Sequence, residues 1–217
     1  MKRILLLIGV LTLCLTALAP QSSVEAAAQV LHIRGSDQVA SATFSRIEGT
    51  LVTSTTIVAI HGIQRALPEE PNPTPYLSAV VMISQHDTAT CQPEDCPITM
   101  FADGFTETPV FQFNRDLSAA ELKATVMVTD MVSGRSFPVE VDLSWVGIGE
   151  TRRNFGSRRF REPGIIITTT GQNYLRLAEV SGSVIDLSTN FDFASQATAL
   201  AFLERAFGNE IRIEIGR

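Results

Sequence analysis

Between residues 30 and 188 apolar side chains recur at every second position between turn signals, the period of a strand with one dry and one wet face. The clearest run is 137–145, where Val139, Val141, Leu143 and Trp145 alternate with Glu140, Asp142 and Ser144. Before it, 122–130 places Ala124, Val126 and Val128 on one face and Lys123, Thr125 and Thr129 on the other. Ser133-Gly134 lies between them, so the two runs read as a hairpin. Further strands are expected at 30–34, 39–46, 51–63, 77–85, 110–113, 165–169, 175–185 and 211–215. Prolines at 68, 71, 73 and 75 exclude a central strand and predict an exposed loop over 67–75. Helical spacing occurs once, where Leu200, Leu203, Ala206 and Phe207 follow Ser195 and Gly208 supplies a stop. With no helices between the strands, the expected class is all-β: an antiparallel β-sandwich, or a barrel-like sandwich, with one short helix near the C-terminus. Trp145, the sole tryptophan, falls on the apolar phase of its strand and is expected in the core. Gly147, Gly149, Pro163 and Gly164 read as turn residues.

The first 28 residues break this pattern. Lys2 and Arg3 precede an uncharged, mostly apolar stretch over 4–18, followed by Pro20, Gln21, Ser22 and Ser23, the layout of a secretory signal peptide. The apolar stretch is shorter than the roughly 20 residues that span a bilayer. Small residues Ala26 and Ala28 fit cleavage near 28, leaving 29–217 as a single domain exported from the cytoplasm. Nothing in that part approaches an 18-residue apolar run, so no membrane span is expected there.

Export changes the reading of the cysteines. Cys91 and Cys96 meet an oxidising compartment and read as a local disulfide, since a lone pair falls short of the four ligands of a structural metal site. No metal or cofactor is expected. Loss of Lys2, Arg3 and Glu25 leaves 15 basic against 22 acidic residues, net −7, which argues against nucleic acid as partner.

The run Val141-Asp-Leu-Ser-Trp145-Val-Gly147-Ile-Gly149, then Phe160 with Pro163-Gly164, then Ala178 before Ser181-Gly-Ser-Val184 and Thr189-Asn-Phe191, resembles a group of secreted bacterial β-rich proteins of no established activity. The resemblance covers most of 38–192. It implies export and a β-rich fold, and it implies no site.

Candidate chemistry concentrates in one segment. Arg152, Arg153, Arg158, Arg159 and Arg161 place five cations in ten positions of an acidic protein, interleaved with Phe155 and Phe160. Guanidinium forks bind carboxylate, sulfate or phosphate in pairs, and the phenyl rings offer faces for stacking. A turn at Gly156-Ser157 would bring the two arginine pairs together as an anion-binding finger; the plainer reading is arginines paired with surplus acids on the wet face of an edge hairpin. The histidines, His32, His61 and His86, have no metal-motif spacing, and no Gly-x-Ser-x-Gly elbow is present. His86, Asp87, Glu94 and Asp95 offer oxygen-rich surroundings without the spacing of a calcium loop. The expected function is a secreted or surface-associated binding module with no catalytic centre, its extracellular ligand an anionic glycan or phosphate-bearing surface. The rivals are a secreted hydrolase assembled from distant strands and an envelope component that associates through edge strands.

Overall fold

The computed structural model describes residues 29–67, 72–91, 96–162, 165–186, 190–192 and 199–215. The expected signal peptide, Glu94 and Asp95 of the cysteine loop, and Pro163-Gly164 lie outside them. Ten strands form one antiparallel sheet: β1 (Gln29–Glu48), β2 (Leu51–Leu67), β3 (Thr74–Asp87), β4 (Ile98–Thr106), β5 (Val110–Phe113), β6 (Ala119–Asp130), β7 (Ser136–Glu162), β8 (Ile165–Ile185), β9 (Asn190–Asp192) and β10 (Ala199–Ile215). The all-β, antiparallel class is as the period-two pattern predicts.

Pairing runs β10-β1-β2-β3-β4-β6-β7-β8, and β8 also pairs with β10, so the hydrogen-bonded path returns to its start. The circuit is thinnest between β4 and β6, where three residues of each strand pair. Side chains on its inner face form the core: Ala40, Ala42 and Phe44 of β1, Ile57 and Ala59 of β2, Val81 and Ile83 of β3, and Leu122, Val126 and Val128 of β6. Along β7 the residues predicted from alternation, Val139, Val141, Leu143 and Trp145, are all buried, and the Trp145 ring is fully so. The β6–β7 hairpin turns at Gly134 as expected.

Several expected short strands merge into long ones. The segments at 30–34 and 39–46 are both β1, those at 165–169 and 175–185 are both β8, and 137–145 runs on to residue 162. Pro75 lies in the first turn of pairing of β3, opposite Ile63, where a missing amide hydrogen is tolerated near a strand end. Of the expected proline loop, 68–71 lies outside the described residues.

The expected C-terminal helix is not formed. Residues 199–215 are a strand paired with β1 on one side and β8 on the other. Its apparent helical spacing has a local cause. Ala201 and Leu203 alternate inward against Ala42 and Ala40, and then a bulge at Gly208, with φ of 55°, shifts the phase before Ile211 and Ile213. One shifted period of two imitates a period of three and four, and two flanking ladders outweigh a weak local helical preference. Gly147 is likewise no turn. It pairs within β7, and a side chain there would strike the Leu117 carbonyl and the Arg176 side chain.

Past the core, β7, β8, β10, β1 and β2 continue together as an arm. Rows such as Arg159–Thr168–Arg212–His32–Leu67 cross all five strands in register. β6 pairs with β7 only as far as Val146, so residues 152–162 pair with β8 alone among the described residues and form an open strand edge.

Candidate functional site

The arginine segment is the outer strand of the arm. Gly156 and Ser157 sit mid-strand opposite Gly171 and Thr170, so the expected turn and finger do not form there. Alternation divides the seven candidate residues between two faces. Arg153, Phe155, Arg159 and Arg161 point to the side that continues the inner face of the core, and Arg152, Arg158 and Phe160 to the other. All seven are exposed, Phe155 to 75% and Phe160 to 54%.

None of the five arginines has a carboxylate partner among the described residues. The nearby acids serve other partners: Glu210 binds His32 at 2.9 Å and Arg34 at 3.4 Å, and Glu214 binds Arg212 at 3.2 Å. Register places Arg34, Arg65, Arg205 and Arg212 on the same face as Arg153, Arg159 and Arg161, against the two acids Glu210 and Glu214. An acidic chain thus carries one strongly basic surface.

Where this face meets the core, two rows make a small lattice. Arg153, Tyr174 and Arg205 lie side by side, and Phe155, Gln172 and Phe207 form the next row. Arg153 donates to the Gln172 side-chain Oε1 at 2.9 Å, and the Gln172 Nε2 donates to the Tyr174 hydroxyl at 2.7 Å. Tyr174 meets Phe207 edge to face with centroids 6.0 Å apart, a favourable quadrupole arrangement. The Arg205 guanidinium stacks 3.8 Å from the Phe207 centroid, and Arg153 lies 6.0 Å from that of Tyr174.

The 114–118 loop closes the lattice on one side. The backbone carbonyl of Arg115 accepts from Arg205 at 2.8 Å. Leu117 adopts φ of 61°, which non-glycine residues rarely adopt, and its side chain is 2% exposed in the core. Burial of that side chain holds the unfavourable backbone and fixes Arg115 and Asp116 beside it. Hydrogen bonds from the Ser118 side chain and then its amide hold the Asp116 carboxyl below the usual carboxylate range. Arg115, Asp116, Tyr174, Arg205 and Phe207 line a cavity of about 420 Å³, within the roughly 300–1,000 Å³ typical of small-ligand sites.

Sequence reading found Arg153 and Phe155 of this lattice and missed the rest. Arg205 and Phe207 fall in the segment whose spacing imitates a helix, and Arg115 and Tyr174 are remote from the cluster in the chain. Among the other expectations, Cys91 and Cys96 lie within disulfide distance, their Cα atoms 4.1 Å apart. His61 is exposed and His86 half-buried. His32 bonds Glu210 on the open arm, and no hydroxyl is bonded to His32 among the described residues. On the opposite face Asp37, bonded by Tyr76, has its carboxyl raised, chiefly by burial, while Asn209 lowers it and Glu204 adds repulsion. No described helix is long and apolar enough to cross a membrane, and no three described metal-binding side chains form a group.

No protein-family model matches the chain, and no curated protein matches it.

Proposed function

We propose that this chain is an exported binding module, a closed barrel-like sheet whose arm holds an extended polyanion. The observation that carries the reading is the set of five exposed arginines on residues 152–161 with no carboxylate partner among the described residues, three of which, Arg153, Arg159 and Arg161, share a face with Arg34, Arg65, Arg205 and Arg212. Ion pairs on a protein surface contribute about 0–1 kcal/mol each, so affinity on such a face comes from many weak contacts along a repeating ligand. Export, expected from residues 1–28 and from the resemblance to secreted bacterial proteins, supplies an anionic glycan or phosphate-bearing surface as ligand.

The test titrates the protein with sulfated, phosphorylated and carboxylated polymers at two salt concentrations, beside a variant with Arg152, Arg153, Arg158, Arg159 and Arg161 all changed to Gln. Binding of at least one polymer class, weakened by salt and lost in the folded variant, is the expected result. Equal binding by both proteins overturns it.

A second reading rests on the open edge of β7 at residues 152–162. Such an edge accepts another strand, which favours an envelope component that assembles by strand addition. Concentration-dependent dimers on a sizing column, lost when a proline breaks the edge, would support it.

A further inference from the structure

We propose, resting on the polyanion reading, that the cavity beside Arg205 recognises one carboxylated sugar ring, a uronate unit of the polymer that the arm holds. The lining supplies one complementary group for each part of such a ring. Arg205 stacks on Phe207 and donates to the Arg115 carbonyl, so its guanidinium plane is set before any ligand arrives. Its remaining N–H groups have no carboxylate partner among the described residues, and a preset planar fork matches a planar carboxylate. The Tyr174 hydroxyl accepts from Gln172, which leaves its own hydrogen to donate to a ligand hydroxyl. Asp116 is ionised and can accept from ligand hydroxyls. Tyr174 and Phe207 offer apolar surface to the C–H face of a pyranose ring.

Asp116 also decides among anions. Its negative charge in the wall repels a phosphate dianion more than a singly charged carboxylate. Leu117 holds this wall in place from the core.

The experiment titrates the full protein with a galacturonate trimer, a glucose trimer and glucose 6-phosphate, with ligand-observed NMR and calorimetry as readouts. The uronate trimer is expected to bind at least tenfold more tightly than the neutral trimer. Arg205→Gln is expected to weaken it at least tenfold, against a loss of about twofold to threefold for a sulfated polymer, to which Arg205 contributes only one of many weak contacts along the arm. Asp116→Asn is expected to narrow the preference for uronate over the phosphorylated sugar by at least fivefold. Should Arg205→Gln fail to fold, Tyr174→Phe tests the same cavity through its contact with a ligand hydroxyl, with an expected loss of about threefold or more. Sulfated polymer binding to the arm with no preference for uronate over neutral trimer would overturn this inference and leave the polyanion reading standing. No binding of any polyanion would overturn both.

Discussion

The indole nitrogen of Trp145 on β7 donates to the backbone carbonyl of Ser41 on β1 at 3.0 Å, joining two strands that are not neighbours in the sheet. Trp145 is fully buried, and its single polar atom thus finds a partner inside the core. Trp145→Phe removes the bond and leaves unfilled volume, for an expected loss of about 1–3 kcal/mol. Urea unfolding should give a lower midpoint at unchanged slope. As the only tryptophan, Trp145 also makes wild-type fluorescence a direct report on this contact.

Leu117 combines an unfavourable backbone with a buried side chain. Leu117→Ala keeps the strain and forfeits the burial that sustains it, so the expected cost is about 2–5 kcal/mol. Loss of the loop should also weaken uronate binding, whereas Trp145→Phe, at a side chain that does not line the cavity, should leave it unchanged. Calorimetric unfolding and the trimer titration measure the two effects separately.

Asp130 accepts hydrogen bonds from Ser133, Val132 and Phe101, tying the β6–β7 turn to β4, and these hold its carboxyl below the usual range, the Ser133 side chain foremost. A lowered folded pKa contributes stability that is fully present above the unfolded value, about 3.9, and is lost as pH falls through the folded one. The urea midpoint should therefore drop between pH 5 and pH 2, by more in the native protein than in Asp130→Asn.

Reduction of Cys91 and Cys96 opens a loop of sequence separation 5. So short a loop constrains the unfolded chain by only about 2 kcal/mol, so the reduced protein should stay folded and melt a few degrees lower. Far-UV circular dichroism with and without reductant checks this.

The parts legible in the sequence are those where one face of a strand is dry. In 137–145 burial forces strict alternation, and the structure buries the residues that alternation selects. Residues 152–161 carry polar or exposed side chains on both faces, so no period distinguishes a strand from a hairpin, and the glycine suggested a turn where the chain runs straight. The Gly208 bulge changed one period into the semblance of another. The cavity gathers residues 115, 174, 205 and 207 through pairings between distant segments, and the positive φ of Leu117 has no signature in the sequence.

The open edge of β7 carries a last prediction. Two copies joined antiparallel about Gly156 would set Arg153 against Arg159, which share a face, and like charges directly opposite destabilise such a pair. The arginines therefore keep copies of the chain apart, and the five-fold Gln variant should self-associate where the native protein stays monomeric, as light scattering would record.

The same guard is removable without mutation. If the arm holds a polyanion as proposed, that ligand would neutralise the charges that hold neighbours at a distance, so ligand and edge would be coupled: the loaded protein would be the one prepared to pair. In that sense the arm is a fastening whose catch is electrostatic, shut while bare and released by the surface on which it lands.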